Sequence, residues 1–472
     1  MKKKSDKVII LLISILVYMV LSWIIEGGAY SGGQYASTGL TQIGLFDAFL
    51  AIYSSFFRML PDILYILAVG GCYEVLSHTK GYQKMVDKAS SFIKGKEFIV
   101  LAVLVLLMGA YTSISSHLLV LICIAPFIVT VFLRNGFDRL TAISAGFGGL
   151  FLGYLGLTFG TYGTSYLNST MGLTVSNWIV QKVVIFVVAY ILYVLFAILH
   201  MKKKKNVNET KYDIFCTEEL DESKVKKRKK TKVWPTALVC ILGILVIALG
   251  YINWTESFNI KIFSEFHTSF TGGFKIADVP IFGALIGTYM KAFGEWNDLL
   301  YGSFIIVIVT VIVALINKVD FDTILKNFGK GMRKNSRMAF VYGLALSIAF
   351  LSLISTWPTT VINTLFGSGS FNIFIIVILA LIAQILLVDP DCFAQTFGGY
   401  LAVTFTENMV AAGVLWRLGS ALAFIIGPTS FLLLSVLTYL DIPYKEWLKY
   451  IWKFVVAFLI VVMLVFVIIL YV

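Results

Sequence analysis

Apolar runs long enough to cross a bilayer recur along almost the whole chain, separated by short stretches in which Lys, Gly, Ser and Thr concentrate. In the first half they cover residues 8–25, 62–77, 98–116, 117–133, 140–166 and 178–200. In the second half they cover 235–253, 299–316, 338–356, 371–388, 396–415, 418–438 and 450–472. A helix needs roughly 20 residues to span hydrocarbon, so these runs predict transmembrane helices. Two shorter runs, 46–57 and 279–293, suit interfacial or re-entrant segments better than spans. The predicted fold is an all-α polytopic membrane protein of about 11–13 spans.

Composition sharpens this picture. Of 472 residues, 59% are hydrophobic and 14% charged, and mean hydropathy is +0.89. Soluble domains carry nearer 25% charge, so a water-soluble globule is excluded. The net charge of +12 does not point to nucleic acid, because the basic residues cluster between apolar runs without interleaved aromatics. They sit at the N-terminus and in 78–97, 201–233 and 318–337, with Arg134, Arg139, Lys445, Lys449 and Lys453 beside spans. That is the positive-inside bias of cytoplasmic loops. The expected setting is the bacterial cytoplasmic membrane, multi-pass, with the N-terminus inside. Five cysteines show no metal-ligand spacing, and no zinc, metal or disulfide framework is expected.

Three parts are expected: a first membrane repeat (1–200), a basic cytoplasmic linker (201–233) and a second membrane repeat (234–472). The linker has few large apolar residues, so it reads as a solvated and dispensable connector. Phe46, Asp62, Leu64 and Tyr65 recur in register as Phe282, Asp298, Leu300 and Tyr301. An internal repeat of membrane segments marks a secondary transporter that binds near the midplane. Arg134 and Arg139 place the start of 140–166 inside, while Lys445 to Lys453 place the end of 418–438 inside. The charge of 318–337 argues for the same side as 78–97, but amphipathic arms in the interface obey the charge rule less strictly than short loops. The repeats are therefore read as inverted, each with a re-entrant hairpin and a broken helix, which would put Asn327 on the outer side.

A binding site needs polar backbone at membrane depth, tolerated only where it lines a cavity or is buried in protein. Four stretches qualify. The first, Gly109–Ser116, offers Thr112, Ser113, Ser115 and Ser116 at a hairpin tip. The second, Gly156–Ser165, offers Thr158, Thr161, Thr164 and Ser165 in a Gly-loosened helix. The third, Ser352–Asn363, holds Thr356, Pro358, Thr359 and Thr360. The fourth, Gly427–Ser430, holds Pro428, Thr429 and Ser430. Interrupted helices expose amides that favour anions and carbonyls that favour Na⁺. Thr161, Thr164 and Ser165 are expected to face Thr429 and Ser430. Arg417 is a candidate counter-charge. Arg58 and Asp62 are spaced to pair on one helical face; Asp62 and Asp298 read as helix starts. His117 reads as a polar hairpin residue, and Asp389 and Asp391 as near-surface acids.

At these stretches the sequence resembles the YfcC-like branch of the anaerobic four-carbon-dicarboxylate carrier family, in the ion transporter superfamily. The carrying residues are Gly427-Pro-Thr-Ser430 followed by Ile442-Pro-Tyr-Lys-Glu-Trp-Leu-Lys449 and Trp452. Leu21–Ile25, Gly44–Phe49, Lys94–Glu97 and Asn135–Thr141 add to them. The resemblance implies two hairpins, two broken helices and an elevator-like transport domain. The chain departs from the family pattern where an acidic pair would follow the first hairpin tip, since Ser115, Ser116 and His117 stand there. It departs again at Gly419–Phe424, which replaces a Gly-Asp-Gly and Thr-Asn pattern. The fold carries over; substrate and coupling ion do not.

The function expected is secondary active transport of a small organic anion or an amino acid, coupled to Na⁺ or H⁺, with no other cofactor. An amino-acid exchanger, a polytopic membrane enzyme and an inactive scaffold are the rivals; no catalytic constellation supports the enzyme. The partners expected are a small-molecule substrate and the lipid bilayer, with a homodimer allowed.

Overall fold

The apolar runs fold as helices because lipid leaves backbone amides no partner outside the segment. The computed structural model describes residues 6–31, 33–204, 207–215, 231–287, 289–366 and 371–471. Its first half runs α1 (Asp6–Ser22), a hairpin of β1 (Gly27–Ser31) and β2 (Gln34–Gly39), α2 (Leu45–Arg58), α3 (Leu60–Ser77), α4 (Lys80–Ile93), α5 (Glu97–Ile114), α6 (Ala125–Arg134), α7 (Arg139–Gly156), α8 (Ser165–Thr170) and α9 (Ile179–Lys203). The second half opens with α10 (Trp234–Gly250), α11 (Trp254–Phe258), α12 (Ile262–Gly273), a small hairpin of β3 (Lys275–Ile276) and β4 (Val279–Pro280), and α13 (Ile281–Ile286). It continues with α14 (Leu300–Ile316), α15 (Phe321–Ile354), α16 (Trp357–Phe366), α17 (Ile373–Leu387), α18 (Pro390–Thr404), α19 (Met409–Ile426), α20 (Phe431–Tyr439) and α21 (Tyr444–Tyr471). Among the described residues, six helical stretches are long and apolar enough to cross a membrane, and four shorter apolar helices accompany them.

Several runs break earlier than hydropathy alone suggests. The run 117–133 is a 3₁₀ turn at Val120–Cys123 followed by the short α6. The run 140–166 stops being helical at Leu157, whose φ of 35° is left-handed. The run 46–57 is the full helix α2, whereas 279–293 holds only β4 and the six-residue α13 as regular structure.

Packing fixes the directions. A Cβ at Gly149 would fall 2.5 Å from the Met108 Cβ, and one at Gly153 would fall 2.5 Å from the Thr112 Cβ. These glycines let α5 and α7 lie in parallel contact. In the second half α17 and α19 make the matching parallel pair, with Gly419 against Val377 and Ala380, and Gly427 against Ile385. The two pairs meet antiparallel: Arg139 reaches the Asp441 carbonyl at 2.8 Å, Tyr154 meets Phe424 at 4.8 Å between ring centroids, and Arg417 meets Leu157. The helices α5 and α7 therefore run opposite to α17 and α19.

The series beginning at Asp62 and Asp298 reports a different relation. Its helices α3 and α14 are parallel neighbours, with Tyr65 beside Gly302 and Val75 beside Ala314. Beyond them Gly81 donates to Asn317 Oδ1 at 3.1 Å. Because α3 and α14 descend together, the arms that follow emerge at one end of the bundle, and Lys330 and Lys334 reach Glu74 at 2.8 and 2.5 Å. The expectation that Asn327 lies on the opposite side from 78–97 is thus corrected. We call this the linker end, and the end carrying β1 and β2 the strand end.

The linker reading also needs correction. Residues 205, 206 and 216–230 lie outside the described residues, but 207–215 is anchored. Val207 donates to the Gly136 carbonyl at 2.9 Å, Arg139 N–H to Glu209 Oε2 at 2.7 Å, and Thr130 Oγ1 to Asp213 Oδ2 at 2.6 Å. Phe215 is 3% exposed, against Tyr73 and Tyr439 at 5.8 and 6.3 Å.

Candidate functional site

A cavity of about 850 Å³ opens toward the strand end, walled by residues from both halves. Its floor is built at the α2–α3 junction. The chain breaks at Met59, so Arg58 ends one helix while Asp62 sits in the first turn of the next, after Pro61. Pro at the first positions of a helix sacrifices no bonded amide. Asp62 is buried; it accepts a hydrogen bond from Tyr342 and lies 3.5 Å from His117 Nε2. The side chain that approaches Asp62 here is thus His117 rather than Arg58.

His117 is held by the turn that follows α5. Ser115 pairs across a lone β-bridge with Ile252, and Ser116 donates from its amide and its hydroxyl to the Tyr251 carbonyl at 2.8 and 2.9 Å. The break after α7 forms a second wall. Phe159 and Gly160 amides donate to the Ser113 carbonyl at 3.1 and 2.8 Å, Ser113 and Thr158 hydroxyls lie 3.0 Å apart, and Asn253 donates to Thr161 at 2.9 Å. The junction of α17 and α18 supplies a third wall, Asp389 and Asp391. Here Val388 is left-handed at φ 63°, Asp389 caps α18 by accepting from the Asp391 amide at 2.7 Å, and Pro390 fills the space beside Gly163. Glu256 and Glu295 line the cavity from more exposed positions.

Of the residues singled out from sequence, Ser116, Thr161 and Ser165 line this cavity. Thr112, Ser113, Ser115, Thr158 and Thr164 are buried in the packing behind it. The third stretch lies elsewhere: Thr356 accepts from the Gly28 amide at 3.1 Å, Thr360 donates to the Glu26 carbonyl at 2.7 Å, and Pro358 and Thr359 are buried in the first turn of α16. The fourth is a helix break tied to its neighbours. Thr429 donates to the Ile385 carbonyl at 2.6 Å, Ser430 caps α20 by accepting from Leu433 at 3.1 Å, and Pro428 directly precedes them in the break. Since α7 and α19 are antiparallel, Leu157 is level with Arg417 and the break at 427–430 lies further along; Thr161, Thr164 and Ser165 do not meet Thr429 and Ser430. Arg417 is occupied, donating to the Leu157 carbonyl at 3.1 Å.

Compared with protein families, residues 5–471 match the model described as C4-dicarboxylate anaerobic carrier. The chain belongs to this family. Membership makes it a multi-pass membrane transporter. No curated protein matches it by sequence. Among solved structures it is similar to the Alcanivorax borkumensis YdaH transporter, at 10% identity over 97% of each chain and a TM-score of 0.42. It is also similar to Neisseria gonorrhoeae MtrF, presented with a class of antimetabolite efflux pumps, at 11% identity over 98% of this chain and 94% of that one, TM-score 0.38.

In this carrier the turn after α5 and the turn Val388–Asp391 after α17 each stand beside a helix break that bonds back to the preceding helix. Ser113 receives Thr158 in the first half as Ile385 receives Thr429 in the second. Sequence reading passed over Asp389 and Asp391 as surface acids. The available signal was an Asp-Pro step directly after an apolar run, which pairs an N-cap with a first-turn proline.

Proposed function

We propose that this carrier moves a small amino acid, rather than a dicarboxylate, by secondary active transport coupled to Na⁺ or H⁺. The observation that supports this is the charge of the cavity wall: Asp62, Glu256, Glu295, Asp298, Asp389 and Asp391 stand against Arg58 and His117. Two unit charges 6 Å apart at an effective dielectric of 20 interact by about 3 kcal/mol, so a dianion meets repulsion that a zwitterion avoids. Arg58 lies within electrostatic range of both Asp389 and Asp391. In this reading Arg58 takes the carboxylate of the substrate and the two aspartates take its ammonium group. The remaining carboxylates favour the coupling cation.

The sets α5–α9 and α17–α21 are read as inverted repeats, each carrying a hairpin and a broken helix, which move together as an elevator. By charge, the linker end and the N-terminus face the cytoplasm of a bacterial cell. Equilibrium binding of labelled amino acids and dicarboxylates to purified protein tests the substrate assignment. Saturable binding of an amino acid that Arg58→Gln and Asp389→Asn each weaken supports it. Tighter binding of a dicarboxylate, left intact by Asp389→Asn, overturns it.

A further inference from the structure

Away from the transport cavity, two adjoining hollows at the linker end form one continuous feature. The first is a groove of about 460 Å³ whose apolar wall includes Phe56, Ile63, Leu67, Ala339 and Phe340. It lies between α2, α3 and α15, with Val8 of α1 at its edge. The second is a polar pocket of about 160 Å³ whose wall includes Lys211, Tyr212, Lys334, Asn335 and Tyr439. Arg337 and Thr438 belong to both walls, so the groove leads into the pocket.

The pocket is cationic. Lys211, Lys334 and Arg337 line it, against one carboxylate, Asp441. Lys334 shares Glu74 with Lys330, so that cluster keeps a net positive charge. Two of its side chains also carry unmet polar atoms. Asn335 is 2% exposed and Tyr439 4% exposed, and neither Asn335 Oδ1 nor Tyr439 OH has a hydrogen-bond partner. The Asn335 amide is oriented by its donation to the Ile66 carbonyl at 2.7 Å, which leaves its oxygen as a free acceptor. Both atoms are closed off from the pocket surface, so it is the cationic lining beside the apolar groove that marks a site for an anionic amphiphile.

We propose that this composite site binds one anionic phospholipid, for which phosphatidylglycerol serves as the probe. An acyl chain lies in the groove, and the phosphate meets Arg337 and Lys211 at its mouth. Basic pockets between membrane helices are suited to anionic headgroups. Lys211 and Tyr212 come from the anchored linker segment, so the lipid ties the linker to α15 and α20.

Native mass spectrometry of the detergent-purified full chain tests this, with dioleoyl phosphatidylglycerol, dioleoyl phosphatidylcholine, glycerol phosphate and inorganic phosphate as probes. Phosphatidylglycerol is expected to be retained preferentially. Replacing both exposed cations, Lys211→Gln with Arg337→Gln, is expected to weaken it by about fivefold per charge. Ala339→Trp fills the groove and is expected to weaken it too; Phe340→Ser, at an exposed position, serves if that variant does not fold. Equal retention of the two lipids overturns the proposal, as does binding unaffected by both sets of changes. Competition by glycerol phosphate or inorganic phosphate as strong as that of the lipid makes this a free-anion site. A dimer lost in Ala339→Trp with lipid binding intact makes the groove a contact between copies; either result refutes the lipid assignment.

Discussion

Arg417, midway along α19, donates from Nη2 to the carbonyl of Leu157 at 3.1 Å and so ties the second half to the helix break in the first. Lys182 stands at the same carbonyl end, 3.4 Å from the Thr158 oxygen and 2.5 Å from that of Val175. Cations at a helix C-terminus offset its partial negative charge. Arg417→Gln should therefore cost about 1.5–3 kcal/mol, the range for a hydrogen bond to a charged group. Arg417→Lys should recover part of it. Thermal unfolding in nanodiscs reads both; an unchanged midpoint for Arg417→Gln would show that the contact contributes nothing.

Thr429 acts on the fold and not on the substrate. Its hydroxyl is spent on the Ile385 carbonyl, so Thr429→Ala should lower stability by about 0.5–1.5 kcal/mol and leave substrate affinity unchanged. A binding isotherm beside a melting curve separates the two effects.

Within the linker, residues 207–215 are anchored through Glu209, Asp213 and Phe215. Phe215→Ala removes a buried aromatic and should cost about 3–5 kcal/mol if the site does not collapse. It should also open 207–215 to protease. By sequence 216–230 holds few large apolar residues, so shortening within it should leave the melting temperature unchanged. Equal sensitivity of the two changes contradicts the anchoring seen through Glu209 and Asp213.

Cysteines placed at Asn327 and Lys94 should react from the same side of the membrane, and one at Ser37 from the other. The geometry of α3, α14 and α15 requires this, whichever side is cytoplasmic. Reaction of Asn327 and Ser37 from one side would refute it.

Much of the architecture was legible because hydropathy and helix length follow from the bilayer itself. The two breaks at 157–164 and 427–430 were legible too, since clustered Gly and hydroxyl residues, or a Pro in mid-run, weaken a helix there. Sequence could not rank them. Thr356 and Pro358 use the same residue types for ordinary packing at a helix start, against β1. Asp389 and Asp391 were discounted because acids beside an apolar run resemble a surface turn. His117 and Asp62 lie far apart in the chain, and only the fold brings them to one cavity floor.

Uptake into proteoliposomes under an imposed Na⁺ or proton gradient tests the central claim most directly. The account predicts that a labelled amino acid accumulates against its own gradient, that dissipating the driving ion abolishes accumulation, and that Asp389→Asn reduces it at least tenfold with protein content unchanged, as expected for loss of a charge-assisted contact. Accumulation of a four-carbon dicarboxylate in preference to every amino acid, undiminished by Asp389→Asn, would contradict it.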